Sequence, residues 1–266
     1  MTTVAILRTK DKKEESVRMA EEMGLTVRFA SPLELAEKDS TKFWQFVEEV
    51  ESGKAKQVVL TSSTAVKYML NLLQKKEKAG AVVKKLNEKG IIAIGPLTAE
   101  TARKEWIKAT AIPEKFNIEG LVVHLKGRIT AGEKVWVLRS DKTMDVLVKG
   151  LEASGAKVEE VAVYSLRRSE PDRALLDVYY WTVHGGIDAY VFTSAMTAEV
   201  FIEDGEKKYG VRQFGQALNS SVIAAIGEPT KNTLERLGID VDVMPDDATF
   251  EKTMQALQKF IHRDQN

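Results

Sequence analysis

Short apolar runs alternate along the chain with longer stretches of helical periodicity. The runs that predict strands lie at 4–7, 58–60, 91–94, 135–138, 190–192 and 222–226. Between them the apolar positions follow a helical period, for example Val66, Met69, Leu70 and Leu73. Gly24 and Gly155 each follow a charged helical stretch and precede a further Val-containing strand, as a helix C-terminal glycine does. This alternation is typical of βαβ units around a parallel sheet that is buried on both faces.

The same pattern occurs twice, at an offset of 131 to 132 residues. Val-Ala-Ile-Leu-Arg-Thr at 4–9 returns as Val-Trp-Val-Leu-Arg-Ser at 135–140. The Thr-Ser pair at 61–62 returns at 193–194, and Ala-Ile-Gly at 93–95 returns at 225–227. Pro113, ahead of a predicted helix, returns as Pro245. A solenoid unit spans only ~20 to 50 residues, so the duplication predicts two whole domains.

Composition and charge narrow the range of functions. A chain of 266 residues suits two domains, each with its own core. Lys plus Arg and Asp plus Glu are equal at 39, so no overall charge favours nucleic acid or an anionic membrane as a partner. The chain has no Cys and only three His, which disfavours a metal site. Without a signal-peptide core or an apolar run of about 18 residues, we expect a cytoplasmic protein that does not enter a membrane.

Two polar, proline-containing stretches, 31–40 and 165–173, interrupt the alternation. Each follows the second strand of its repeat, and their composition suits connections between domains. The residues themselves leave open whether each repeat folds as one domain or the chain crosses over at these linkers.

Candidate binding residues follow the predicted strands. In an open parallel sheet, ligands bind beyond the carboxyl ends of the strands, where helices begin. Free backbone N–H groups and small hydroxyls at a helix start form a site for carboxylate or phosphate. The alternative is that these residues are ordinary N-caps and turn residues. Two such sheets would face each other across a cleft. The residues at these positions are Thr61, Ser62, Ser63, Gly95, Thr98, Thr193, Ser194, Gly227 and Thr230.

Three further side chains are candidates for chemistry. Arg8 and Arg139 end the first strand of each repeat and suit bidentate binding of a carboxylate; a salt bridge to a nearby helix acid is the alternative. Tyr164 precedes the second linker, where its phenol is a candidate general acid or, alternatively, a packed aromatic. The phosphate-binding loop, the dinucleotide fingerprint and the hydrolase nucleophile elbow do not occur in the sequence.

Over nearly its whole length the sequence resembles the uroporphyrinogen-III synthase family. The resemblance rests on the order and spacing of several motifs. They are Val-x-Ile-Leu-Arg-Thr at 4–9, Val-Val-Leu-Thr-Ser-Ser-x-Ala-Val at 58–66, Ala-Ile-Gly-Pro-Leu-Thr-Ala at 93–99, Val-Ala-Val-Tyr at 161–164, Val-Phe-Thr-Ser at 191–194 and Ala-Ile-Gly-Glu-Pro-Thr at 225–230.

The resemblance implies an α/β fold of two similar flavodoxin-like (Rossmann-like) parallel-sheet domains, joined by a two-segment linker with a cleft between them. One domain combines residues 1–32 with 172–266, the other holds 38–163, and the linkers are 33–37 and 164–171. It also implies a lyase that needs no cofactor and no metal. That enzyme cyclises linear hydroxymethylbilane, with inversion of ring D through a spiro intermediate, to uroporphyrinogen III and water in tetrapyrrole biosynthesis.

The resemblance assigns roles as well. Tyr164 matches the family's tyrosine beside the second linker and is expected to assist departure of the hydroxyl. Four further residues match cleft positions of the family and are expected to bind the substrate, with Thr61 and Ser62 as their counterparts in the other domain: Thr98, Thr193, Ser194 and Thr230. Ser63, the two glycines and the two arginines named above are expected to bind the substrate from their positions in the sequence. A cytoplasmic monomer is implied, with a transient handover from hydroxymethylbilane synthase as a partner interaction.

Two other functions stay open at this point. A non-catalytic sensor of the same fold would bind a tetrapyrrole or another polyanion without producing the type III isomer. A secreted two-domain binding protein is disfavoured by the missing signal peptide.

Overall fold

The structure is a computed structural model that describes residues 2–141 and 145–263. The chain folds into two compact units: unit 1 comprises residues 1–34 and 167–266, and unit 2 comprises residues 35–166. Both are of the α/β class. Each combines segments from both halves of the duplicated sequence, so the chain crosses over between the repeats.

Unit 1 contains one parallel sheet with helices between its strands. Its strands are β1 (Thr3–Leu7), β2 (Thr26–Ala30), β8 (Ala189–Phe192) and β9 (Val222–Ala225). Its helices are α1 (Lys13–Glu22), α8 (Arg173–Val183), α9 (Ala195–Tyr209), α10 (Val211–Asn219), α11 (Glu228–Arg236) and α12 (Phe250–Arg263).

Unit 2 contains the second sheet. Its strands are β3 (Leu33–Glu37), β4 (Gln57–Leu60), β5 (Gly90–Ala93), β6 (Lys134–Ser140) and β7 (Lys157–Arg168). Residues 33–34 of β3 and 167–168 of β7 fall within the bounds of unit 1. Its helices are α2 (Thr41–Glu51), α3 (Ser63–Lys75), α4 (Ala79–Leu86), α5 (Pro96–Lys104), α6 (Ile118–Leu125) and α7 (Asp145–Glu152).

The strand orders explain how one repeat pattern gives both sheets. The order in unit 1 is β2-β1-β8-β9, and a parallel bridge from Ala224 to Val243 continues it. In unit 2, β7-β6-β4-β5 is followed by the equivalent bridge from Ile92 to Ala111. Both sheets therefore have the flavodoxin-like strand order. In each sheet, the strands equivalent to the first and second of a repeat come from one repeat, and the third and fourth come from the other repeat. The predicted fold class is confirmed.

Apolar residues cover both faces of each sheet, as the continuous apolar runs predict. In β1, Val4 and Ile6 belong to one buried cluster, and Ala5 and Leu7 belong to another. The sheet of unit 2 likewise separates two buried clusters, with Val137 in one and Trp136 in the other. Neither face of the central strands is left for solvent, which is the usual condition of a parallel sheet.

Helix ends follow the predicted glycines. Gly24 and Gly155 adopt positive φ values of 75° and 88°. After Gly24, the N–H of Leu25 donates to Ala20 O at 3.0 Å, which closes the end of α1. Without a Cβ, glycine adopts this left-handed conformation at little cost. The prediction of helix C-terminal glycines is confirmed.

The two predicted linkers lie largely in strands. Residues 33–37 form β3, and most of 164–171 belongs to the twelve-residue strand β7. β3 and β7 are neighbours in the sheet, and Ser169 N donates to Pro32 O at 2.9 Å where they end. The polar composition of 33–37 suits an edge position, since β3 is the outermost strand of its sheet.

Candidate functional site

The start of helix α3 holds the first Thr-Ser pair. Ser62 is the N-cap, and its hydroxyl oxygen accepts a hydrogen bond from Ala65 N at 3.0 Å. The Thr61 hydroxyl donates to Leu138 O at 2.8 Å and so ties β4 to β6. Ser63 is the first residue of the helix. The hydroxyls of Thr61 and Ser62 are thus used within the fold, as the ordinary N-cap interpretation expects.

The start of helix α9 repeats this arrangement. Thr193 donates from its hydroxyl to Leu7 O at 3.1 Å, and Ser194 accepts from Thr197 N at 3.1 Å. The Ser194 hydroxyl also lies 2.7 Å from the Thr197 hydroxyl. The two copies share these bonds, so the duplication preserves the hydrogen-bond pattern of the helix start.

Helices α5 and α11 begin differently. Gly95 and Gly227 are their N-caps, and neither helix start receives a side-chain cap. Thr98 and Thr230 lie in the first turns and are only 4% and 3% exposed. Within the described residues neither threonine hydroxyl makes a hydrogen bond to another protein group. These two helix starts therefore keep unsatisfied donors, which suits an anionic ligand.

The glycine caps are explained by packing inside the protein. Gly95 and Gly227 are extended, with φ values of −166° and 179°, so their backbone conformation does not require glycine. A Cβ on Gly95 would lie 3.1 Å from Phe116 Cβ, and one on Gly227 would lie 3.1 Å from Ala248 Cβ. A close approach of ligand to backbone is not needed to account for either glycine.

Tyr164 lies beside the start of α3. Its phenolic oxygen is 3.5 Å from the Ser62 hydroxyl oxygen, and its ring stacks on Tyr68 with centroids 5.4 Å apart. Tyr68 is itself fixed, because its hydroxyl donates to Leu35 O at 3.0 Å. Tyr164 is half-buried against the core of unit 2. Packing holds the ring, and the phenol reaches the positive end of a helix dipole.

The two arginines differ in their surroundings. Arg139 is only 8% exposed and forms an ion pair with Glu160 of β7. Arg8 is partly exposed, lies with its guanidinium carbon 4.1 Å from the Phe250 ring centroid, and donates to the Ser16 hydroxyl at 2.8 Å. Desolvation by burial lowers the pKa of Arg8 from its ordinary value, although nearby acidic residues act in the opposite direction.

The structure brings some predicted residues together within each unit. In unit 2, Tyr164 and Ser62 are neighbours. In unit 1, Leu7 pairs with Phe192, so Arg8 and Thr193 follow adjacent strand ends. Sequence reasoning missed Tyr68, whose position in a helix carries no distinguishing signal.

Two general properties of the described residues concern metal binding and membrane-spanning helices. No group of three or more His, Cys, Asp or Glu side chains in this part of the chain is arranged to hold a metal ion. None of the described helices is both long enough and apolar enough to cross a bilayer.

Comparison with known proteins identifies the family. The family described as uroporphyrinogen-III synthase HemD matches residues 14–255, which is most of the chain. The protein belongs to the uroporphyrinogen-III synthase family. The match begins after β1 and covers the starts of α3, α5, α9 and α11.

Relatives in sequence span nearly the same length. A protein of Methanothermobacter thermautotrophicus that carries the uroporphyrinogen-III synthase name provisionally is 29% identical over 255 residues, covering 96% of each chain. The uroporphyrinogen-III synthase of Chlorobaculum parvum is 25% identical over 258 residues, covering 92% of this chain and 94% of the relative. Members of this family are enzymes of the lyase class.

Solved structures share the fold. Uroporphyrinogen-III synthetase of Helicobacter pylori is similar with a TM-score of 0.64 at 15% identity, covering 98% of this chain and 100% of the other. A mutant uroporphyrinogen III synthase of Thermus thermophilus gives a TM-score of 0.61 at 19% identity, covering 100% and 99%. At these identities the likeness concerns the fold alone, and it agrees with the two α/β units.

Proposed function

We propose that this protein is a uroporphyrinogen-III synthase. It converts linear hydroxymethylbilane to uroporphyrinogen III and water, with ring D inverted. Loss of the terminal hydroxyl gives an azafulvene, which is attacked by the substituted carbon of ring D to form a spiro-pyrrolenine. Fragmentation and reclosure then give the macrocycle. Membership of the family over residues 14–255 supports this reaction.

The observation that carries the mechanism is the position of the Tyr164 phenol at the start of α3. As the C–O bond of the hydroxymethyl group breaks, the departing oxygen takes a proton from the phenol and leaves as water. The electron pair of the pyrrole nitrogen forms the new double bond of the azafulvene. Negative charge that develops on the phenolic oxygen is stabilised by the helix N-terminus and by the Ser62 hydroxyl 3.5 Å away. A proton lost from the product restores the phenol.

Substrate carboxylates are taken up at the helix starts. The glycine-capped helices α5 and α11 are the stronger candidates, because no side chain caps them and the hydroxyls of Thr98 and Thr230 have no bonds to other described residues. Glu228, at the first position of α11, adds a carboxylate there, so we expect α5 to bind the more strongly of the two. Ser63 and the serine-capped starts of α3 and α9 contribute their remaining backbone N–H groups.

Orientation is the larger part of the catalytic task. Hydroxymethylbilane closes spontaneously head to tail to the type I isomer, so the enzyme must hold ring D where the spiro bond forms. Fixing several carboxylates at once restricts the tetrapyrrole to that geometry and removes the entropic cost from the chemical step.

Because hydroxymethylbilane closes spontaneously, the way in which it reaches this protein also matters. A monomer in the cytoplasm that receives hydroxymethylbilane directly from its synthase would shorten the time available for uncatalysed closure. Cross-linking of the two proteins during turnover, together with the mass of the free protein in solution, tests this arrangement.

The deciding experiment supplies freshly made hydroxymethylbilane and separates the isomers of the product after oxidation to porphyrin. The expected result is a large excess of the type III isomer over a reaction without protein. Only type I porphyrin, at the uncatalysed rate, would overturn the proposed function and leave a non-catalytic binding protein of this fold.

A further inference from the structure

Arg8 and Arg139 occupy the same place in the two copies of the duplicated fold, yet they have different neighbours. Each follows the apolar core of the first strand in its repeat. In unit 1, β1 pairs with β2 so that Ile6 faces Phe29. In unit 2, β6 pairs with β7 so that Val137 faces Glu160. Phe29 and Glu160 therefore occupy equivalent positions in the two sheets.

This single difference decides which arginine is neutralised. Glu160 forms the ion pair with Arg139, whose side chain is 10% exposed. A buried cation in contact with a partly buried anion has little residual charge to offer a ligand, and removing Glu160 would leave the Arg139 charge buried without compensation. Arg139 therefore functions as part of the framework of unit 2.

Arg8 forms no such ion pair with a described residue, although Glu15 and Asp11 lie close enough to interact with it electrostatically. Phe29 is buried in the cluster that also contains Ile6 and Phe250. Within the described residues no carboxylate lies within 4 Å of the Arg8 guanidinium, which stacks on Phe250 and donates one hydrogen bond to Ser16. A guanidinium has five N–H donors in a planar fork, so most of its donors stay available. The stacked ring fixes the plane of the fork without using those donors.

Its position also suits a ligand. Arg8 follows β1 at the carboxyl end of the sheet, and Leu7 before it pairs with Phe192 before Thr193. The guanidinium fork lies over Phe250, the first residue of α12, at the end of a parallel sheet where ligands bind. A desolvated cation with an open fork beside a helix N-terminus is suited to a carboxylate.

We infer that Arg8 binds a carboxylate of the tetrapyrrole, whereas Arg139, its duplicate, is a structural ion pair with Glu160. The inference rests on the proposed function for the identity of the ligand. It makes the two copies unequal: the replacement of an acid by Phe29 is what leaves a binding cation in unit 1.

The test uses the full chain with Arg8→Gln, Arg8→Lys and Phe29→Glu. Arg28→Gln is the matched control, because Arg28 also lies over an aromatic ring of unit 1, 4.9 Å from the Trp181 centroid, but extends from the middle of β2. Two readouts are taken: KM and kcat with hydroxymethylbilane, and the affinity for uroporphyrin III, an unreactive polycarboxylate, by fluorescence titration.

Arg8→Gln is expected to raise KM and to weaken uroporphyrin III binding by about 10- to 100-fold, as loss of a charge-assisted bidentate pair does, with kcat within about twofold. Arg8→Lys is expected to recover part of the affinity. Phe29→Glu is expected to weaken binding as Arg8→Gln does, because the new acid neutralises Arg8. The thermal midpoint of each variant identifies any that fails to fold, and the two Arg8 variants decide the question without Phe29→Glu.

Values of KM and uroporphyrin III affinity for Arg8→Gln within about twofold of those for Arg28→Gln would overturn the inference. Such a result would leave Arg8 as a stacking partner of Phe250. If the wild type produces only the type I isomer, the proposed function fails. The uroporphyrin III titration then tests Arg8 by itself: weaker binding in Arg8→Gln supports its role, and unchanged binding refutes it.

Discussion

The phenolic oxygen of Tyr164 lies 3.5 Å from the hydroxyl oxygen of Ser62, the N-cap of α3. We predict that Tyr164→Phe lowers kcat by about 10-fold or more, because the departing hydroxyl loses its proton donor. Rates are measured with hydroxymethylbilane under saturating conditions. Tyr180→Phe, which alters an exposed tyrosine of α8, serves as the control and is expected to keep the wild-type rate. An unchanged kcat for Tyr164→Phe would make Tyr164 a packing residue.

Tyr68 is expected to position Tyr164. Tyr68→Phe keeps the stacked ring and removes the bond to Leu35 O, so we predict a loss of about 1 kcal/mol in the free energy of unfolding with little change in kcat. Tyr68→Leu removes the stack as well, and kcat is predicted to fall while KM changes less. Denaturant unfolding and steady-state kinetics on both variants measure these effects. Equal kcat values in Tyr68→Phe and Tyr68→Leu would contradict a positioning role.

The serine caps are predicted to contribute to stability in both units. Ser62→Ala and Ser194→Ala each remove an acceptor for a backbone N–H, and each is expected to lower the free energy of unfolding by about 1 kcal/mol. Ser62→Asn and Ser194→Asn should restore most of this loss, since Asn caps as well as Ser. Urea denaturation curves provide the comparison. Stability unaffected by Ser→Ala would mean that water replaces the cap.

The threonines divide into two pairs, one predicted to affect stability and the other substrate binding. Thr61→Val and Thr193→Val remove hydroxyls that donate to strand carbonyls and are expected to lower the free energy of unfolding by about 1 kcal/mol. Thr98→Val and Thr230→Val remove hydroxyls without such bonds. We expect them to leave stability unchanged and to raise KM for hydroxymethylbilane, more strongly in the double variant than in either single one. Wild-type KM in the double variant would exclude these hydroxyls from the binding site.

Asp172 gives a prediction for the dependence of stability on pH. A backbone hydrogen bond from Leu175 and the ion pair with Lys10, at 3.0 Å, outweigh desolvation and hold the pKa of Asp172 below its ordinary value. A carboxylate whose pKa is lower in the folded state than in the unfolded state adds stability when it is charged. This contribution is fully present above the unfolded-state pKa of about 3.9 and is lost as pH falls through the folded-state pKa. Asp172→Asn keeps a capping side chain without the charge. The stability difference between wild type and Asp172→Asn is therefore predicted to be largest near neutral pH and to disappear in acid, as thermal unfolding across that range would measure. A difference that persists unchanged in acid would refute the electrostatic cause.

The sequence predicts the fold well because its strongest signals are local. Continuous apolar runs such as 4–7 and 135–138 can be satisfied only in a sheet covered on both faces, and the duplication fixes which strands are equivalent. The starts of α3, α5, α9 and α11 fall where strand-to-helix junctions were predicted. The roles of Tyr164 and of the residues at those helix starts stay predictions.

Features that depend on pairing across the sheet escaped sequence reasoning. β3 is polar enough to resemble a loop, and only its place beside β7 makes it a strand. The alternative interpretation of Arg139 placed its acidic partner on a helix, whereas the ion pair is with Glu160 on a neighbouring strand. A comparison of the two repeats at an offset of 131 would have found the substitution of Phe29 for Glu160, although only the register shows that it matters.

The crossover of the chain between the repeats sets the order in which the protein can mature on the ribosome. Unit 2 is one continuous stretch, 35–166, and has all its strands before unit 1 does. β1 and β2 are made first, but β1 needs β8, where Val4 pairs with Ala189. Until that strand emerges, β1 has an unpaired apolar edge, the kind of surface that recruits foreign strands. The earliest residues to be synthesised are therefore among the last to be protected, and a chain truncated before β8 leaves them exposed.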